Sequence, residues 1–189
     1  MTVRSVVETT YRSALPTVLV SAFGGLLAGT VLGAMEAELR AVQGLLVMAP
    51  AFLAIRGSVY GSLGSRLSSE LHQGLLAPRF EADDRLVAAV VAALLNGVLA
   101  SLAAAALTYA ILSALGRTVA TLWTLAFVAF VGGVLAGGAL TVVVLAVVFL
   151  GYRRGMNPDD LVGPAVTTAG DVFGTLSLLI AARLALAAL

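Results

Sequence analysis

The sequence predicts an all-α integral membrane protein with five transmembrane helices, N-terminus in and C-terminus out, assembling as a two-fold homodimer. Three observations lead there. The 189 residues are 60% hydrophobic and 11% charged, with mean hydropathy +1.06. A soluble domain of that composition could not cover itself with polar groups, so lipid must be the solvent for most of the chain. The apolar residues fall into five membrane-length runs separated by short polar segments. With the N-terminus inside, Arg4, Arg12, Arg66, Arg79, Arg85, Arg153 and Arg154 lie on the cytoplasmic side. Only Arg40 and Arg117 lie in the opposite loops, a clear positive-inside bias.

Composition also removes several function classes. A net charge of +1 provides no basic field for nucleic acid. The absence of cysteine excludes thiolate metal sites and disulfides. No nucleophile–base pair, glycine-rich nucleotide loop or metal cluster supports an enzyme.

The first span covers about residues 15–34. The polar stretch before it carries Arg4, Glu8 and Arg12, but the following apolar run is too long for a signal peptide. It reads as an uncleaved anchor, with Pro16 tolerated in the first turn. Gly25, Gly29 and Gly33 form a four-residue stripe that permits close helix approach in lipid. Residues 35–43 read as a short loop with Glu36, Glu38 and Arg40.

The second span, about residues 44–67, is interrupted by Pro50 and carries Arg56 well inside the apolar stretch. Gly57, Gly61 and Ser65 repeat every fourth residue, with Ser58 and Ser62 beside them. Such a face borders a narrow water-filled path or forms a tight helix contact. The connection that follows is polar. Its His72 is the only histidine and has no second one to share a metal, so it reads as a solvated loop residue. Glu81, Asp83 and Asp84 suit the capped start of the third span.

The third span, about 86–115, and the fourth, about 120–151, are separated by the lone charge Arg117. Asn96 offers an interhelical hydrogen bond or lines a path. Gly132, Gly133, Gly137 and Gly138 mark a close contact or bend. The fifth span, about 159–187, opens with Asn157 at the cap, Pro158 at the first helical position and the acidic pair Asp159 and Asp160. Residues 1–189 thus read as a single unit, with no soluble regulatory domain expected.

The chemistry concentrates in that last span. Asp171 lies about 16–18 Å along a helix starting near Asp159, at roughly 1.5 Å per residue. Half a typical hydrocarbon core is about 15 Å, so a carboxylate falls near the bilayer midplane. An ionisable residue there is expensive and marks ion pathways. Asp160 and Asp171 share a face, and Pro164, Thr167, Thr168, Gly174 and Thr175 lie beside Asp171 at helical spacing. A polar stripe running from an acidic mouth to a central carboxylate describes half of a cation pathway. Its hard oxygen ligands suit Mg²⁺ or Ca²⁺. One carboxylate per chain requires a second copy, and a two-fold dimer would bring two Asp171 residues to a shared axis. The competing structural reading is a carboxylate bonded to nearby backbone or paired with Arg56. For Asp159 and Asp160 the competing reading is plain capping.

The pieces LPTVLVSAFGGLLAGTVLG, IRGSVYGSLGSRLSSELHQG and NPDDLVGPAVTTAGDVFGTL resemble the transmembrane domain of MgtE-type magnesium transporters. The ending of the second piece is closer to the related eukaryotic solute-carrier magnesium transporters, and the chain resembles one half of those. The most specific element is Pro-x-x-Thr-Thr-x-x-Asp, matched here by Pro164, Thr167, Thr168 and Asp171. The resemblance implies a homodimer in the cell membrane whose pore is lined by spans two and five, with Asp171 binding hydrated Mg²⁺. On that reading Asp160, Asn157, Gly57, Ser58 and Ser62 also line the pore. Two positions depart from the family pattern: Asn157 stands where many relatives have an acid, and Ser58 stands for an asparagine. The bacterial relatives' cytoplasmic CBS-type portion has no counterpart here. The leading expectation is a Mg²⁺, or divalent cation, channel or transporter. Its rival is a proton- or Na⁺-coupled exchanger in which Asp171 alternates between protonated and ion-bound states. A non-transporting membrane scaffold is the third reading.

Overall fold

The computed structural model describes residues 3–79, 81 and 83–188, with side chains from residue 11 onward apart from 12–14 and 17. The side chains of Arg4, Glu8 and Arg12 therefore lie outside the described residues. Among the described residues there are six helices and no strand: α1 (Val3–Ala34), α2 (Glu36–Ala41), α3 (Leu45–His72), α4 (Asp84–Ala114), α5 (Leu122–Arg153) and α6 (Pro158–Ala188). By length and composition α3, α4, α5 and α6 can each cross a membrane, and the apolar part of α1, Val18–Ala34, is shorter. The chain is all-helical in the described residues and has the make-up of a multi-pass membrane protein.

Local chemistry sets the helix starts. The Asp83 carboxylate accepts from Arg85 N at 2.8 Å, and Thr121 Oγ1 accepts from Thr124 N at 3.2 Å. Asn157 Oδ1 accepts from Asp159 N at 3.3 Å, so the predicted cap of α6 is present. The turn into α3 uses Gly44 at φ +99°. A Cβ there would also sit 3.2 Å from Val119 Cγ2 and 3.3 Å from Leu112 Cδ1, so the site is closed to larger residues.

Helix α6 organises the bundle, packing on α1, α3 and α5. It runs antiparallel to α3, because Gly64 faces Val162 while Gly174 faces Leu53. It runs parallel to α1: Pro16 and Val20 share a groove with Asp160 and Pro164, and further along both helices Gly24 meets Thr168. Two apolar clusters fill the interior. One holds Met35, Leu45, Phe52, Val128, Leu178 and Ala181, and the other holds Tyr60, Leu67, Val144, Phe149 and Val162. In lipid such clusters hold by close van der Waals contact rather than by escape from water. Glycine is therefore the working residue at the crossings, since it brings backbones together.

Several expectations change. The segment 35–43 is not simply a loop. Glu36–Ala41 forms α2, held by the Arg40–Glu36 pair at 2.5 Å and by Arg183 Nε donating to Glu38 Oε1 at 2.7 Å. Helix α1 starts well before residue 15, and α3 continues past residue 67 to His72. His72 is thus a helix-end residue: its Nδ1 bonds Ser68 O at 2.8 Å and its ring meets Tyr152 edge-on at 5.6 Å. The stripe Gly25, Gly29 and Gly33 meets nothing within 4 Å, and the face of α1 turned to α6 carries Gly24 and Ala28 instead. In α5 the close contact does form, with Gly132 against Phe52, Gly133 against Val98 and Ser101, and Gly137 against the Tyr60 hydroxyl.

Candidate functional site: the open face of α6

The first half of α6 is buried along Val162, Val166 and Gly170, the side that meets α3. Thr168 turns toward α1, where its hydroxyl donates to Ser21 Oγ at 3.2 Å. Between those contacts lies an uncovered strip. Asp160, Gly163 and Thr167 are exposed on it, and Pro164 and Asp171 are half-buried. The strip arises because hydroxyl, carboxylate and small residues recur every three or four positions, the spacing that stacks them on one side of a helix.

Its oxygen atoms are well placed for a hard cation. Thr167 Oγ1 satisfies its own proton on Gly163 O at 2.9 Å, which leaves the hydroxyl lone pairs free. Pro164 has no N–H to give to the carbonyl four residues earlier, so the Asp160 backbone oxygen is unclaimed by the helix ladder. The Asp171 carboxylate meets no hydrogen-bond donor among the described residues, although Thr175 Oγ1 binds the Asp171 backbone oxygen at 2.8 Å. Carboxylate, hydroxyl and carbonyl oxygens together form an acceptor-only surface that suits Mg²⁺ or Ca²⁺ and not soft metals. Among the described residues no group of three or more acidic or histidine side chains is set to enclose a metal. A single protomer therefore offers one wall of a site and not a cage.

The pairing of Asp171 with Arg56 is absent. Arg56 is fully buried, and its aliphatic stem crosses α6 at Gly170 (3.6 Å) and Gly174 (3.8 Å), where a Cβ would touch it. The guanidinium points the other way. Nη2 donates to Gly97 O at 3.1 Å and to Ser101 Oγ, Nη1 donates to Gly133 O at 3.3 Å, and Nε reaches Phe52 O at 3.4 Å. The charge also lies 4.2 Å above the Phe52 ring. An arginine at a membrane centre costs about 2.5–3.5 kcal/mol on insertion scales. Charge-assisted hydrogen bonds worth about 1.5–3 kcal/mol each offset that penalty.

The remaining predicted positions divide into two groups. Gly57 is half-buried with nothing within 4 Å of a would-be Cβ, so that point of α3 is open. Ser58 and Ser62 turn toward α4 and line a cavity of about 320 Å³ with Arg66 and Asn96. Asn96 thus faces a recess, and among the described residues it has no partner across helices. Asp160 and Pro164 also border an apolar groove of about 480 Å³ against Pro16 and Val20 of α1 and Val147 and Leu150 of α5. Asn157 lies at the mouth of α6 beside Ser69, His72, Gln73 and Asp159. The sequence reading missed the carbonyl cradle of Arg56 and the Ser21–Thr168 contact. One signal was present: Arg56 and Tyr60 share the four-residue spacing of Gly133 and Gly137, which receive them.

Comparison with known proteins gives this geometry a family. Residues 49–181 match the MgtE family, described as divalent cation transporters. Over 181 residues the chain is 30% identical to solute carrier family 41 member 3 of Rattus norvegicus. That alignment covers 93% of this chain and 38% of the rat protein, so the chain spans well under half the length of that relative. The matched region contains both α3 from Ala49 onward and the whole Asp160–Asp171 strip, and a family of transporters is not a family of enzymes. The chain belongs to the MgtE family of divalent cation transporters.

Proposed function

We propose that this chain is a Mg²⁺, or divalent cation, channel or transporter. It conducts hydrated or partly hydrated cation along a pathway lined by α3 and α6 and completed by a second copy of the chain. The five apolar helices form a single unit with the N-terminus inside and the C-terminus outside. Asp171 is the central ion site; Thr167, Pro164 and Asp160 lead to it from the mouth at Asn157, and Gly57 of α3 borders it, whereas Thr168 braces α6 against α1 and Ser58 and Ser62 line the separate recess toward α4.

The observation that carries this reading is the Asp171 carboxylate itself. It sits mid-helix on the uncovered side of α6, half-buried and without a donor among the described residues. A carboxylate held only for structure would be expected to have a partner. Mg²⁺ keeps most of its waters and is bound by one or two carboxylates, which a two-fold pair of Asp171 residues supplies. The family match supports a divalent cation as cargo, and the name of the rat relative places it among solute carriers.

The test is Mg²⁺ flux into proteoliposomes. Asp171→Asn keeps size and one oxygen but removes charge, whereas Asp171→Ala removes both. Both should abolish most of the flux while leaving the folded assembly intact. Wild-type flux through folded Asp171→Asn protein would reject the assignment. A functional monomer, by mass in lipid, would reject the shared pathway.

A further inference from the structure

The most heavily built feature of the interior is the Arg56 cradle. Three glycines, Gly97, Gly133 and Gly137, open α4 and α5 to Arg56 and Tyr60, and two more, Gly170 and Gly174, let the arginine stem lie against α6. Every polar bond of the guanidinium goes to carbonyl or hydroxyl oxygen. Among the described residues no carboxylate lies within ion-pair distance of it. Dipoles solvate a charge but do not cancel it, so a net positive charge stays inside the bundle. The side chain that carries it leaves α3 against Gly170 and Gly174, one residue before and three residues after Asp171, and extends from there toward α4 and α5.

We infer that Arg56 is a positioning residue that sets cation affinity at Asp171, a fixed positive charge one helix away that keeps a bound divalent ion from being held too tightly. The inference rests on the proposed role of Asp171. Conduction requires binding strong enough to admit the ion and weak enough to release it. A narrow pathway with two carboxylates risks becoming a trap, and a buried cation beside it counteracts that. At a separation on the order of 10 Å, about one helix diameter, and in a medium between protein and water, repulsion of a divalent ion changes affinity by about tenfold. The orientation explains why the guanidinium faces α4 and α5: close pairing with Asp171 would neutralise the ligand, whereas this placement tunes it from a distance.

The test measures Mg²⁺ flux against concentration in proteoliposomes. Arg56→Met keeps the stem on Gly170 and Gly174 without the charge. It should lower the half-saturating concentration about tenfold and reduce maximal flux, because release slows. Arg56→Lys keeps the charge with poorer hydrogen bonding and should retain the wild-type half-saturating concentration even where maximal flux falls. Ser101→Asp leaves Arg56 in place and sets a carboxylate against it; it should act like Arg56→Met and carries the test if that variant does not fold. An unchanged half-saturating concentration in a folded charge-cancelling variant, with Asp171→Asn inactive, overturns the role of Arg56 alone. Equal shifts in the Met and Lys variants do the same, because they make Arg56 a packing residue. Wild-type flux in Asp171→Asn removes the ion site, and this inference with it.

Discussion

Substituting Gly64 by alanine tests the crossing of α3 and α6 directly. A Cβ at Gly64 would collide with Val162 Cγ1 and lie 3.0 Å from Cγ2 and 3.3 Å from Cβ. Val162 is buried and β-branched, so it has almost no alternative rotamer in a helix to move into. Relief must come from separating the helices, and overpacking of this kind costs about 1–3 kcal/mol. Alanine gains roughly 0.5–1 kcal/mol over glycine in helix propensity. The net effect is a loss of about 1–2 kcal/mol. Gly61 is the matched control on the same helix, because its Cβ would meet nothing within 4 Å. Gly61→Ala should be neutral or slightly stabilising within the protomer. Unfolding in detergent, followed by helical circular dichroism, gives both values. Adding Val162→Ala to Gly64→Ala should recover about 1 kcal/mol relative to additivity, since the two sites touch. Equal stability of the Gly64 and Gly61 variants, or strict additivity of the double mutant, would refute the reasoning.

Other outcomes can be measured in parallel. The hydrogen bond from Arg183 holds the Glu38 carboxyl below the usual carboxylate range. A depressed folded value contributes stability that is present at neutral pH and is lost as pH falls through that value. The melting difference between wild type and Glu38→Gln should therefore shrink below about pH 4, and a constant difference from pH 7 to 3 would contradict the contact. Asp160→Asn should reduce cation flux modestly at low ionic strength and less at high ionic strength, because an exposed mouth charge is screened. Arg153→Ala removes the 2.6 Å bond to Pro78 O and should hasten proteolysis of the α3–α4 connection, read from fragment appearance over time. Tags at the two ends should be accessible from opposite sides of the membrane, and both appearing on one side would reject the five-span arrangement.

The sequence alone determined the class and the order of the long helices, and it singled out the carboxylate proposed as the ion site. Each of these follows from one-dimensional patterns. Lipid selects long apolar runs, Asn157-Pro158-Asp159 is a helix start, and an eleven-residue separation puts Asp160 and Asp171 on one face whatever packs beside it. Tertiary structure decided what each face meets. Arg56 could have turned toward Asp171 by depth alone; it turns toward α4 and α5 because Gly97 and Gly133 expose carbonyls there. Four-residue spacing singled out Gly25, Gly29 and Gly33 of α1, yet Gly24, outside that stripe, is the one that receives Thr168 while those three face outward. Helix α2 escaped the reading because six residues carry too little periodicity, and its strongest tie, Glu38 to Arg183, spans 145 positions of sequence. Hydropathy records how much of a helix avoids water. In lipid, inside and outside are both apolar, so the packed face follows only from which small residues let another helix come close.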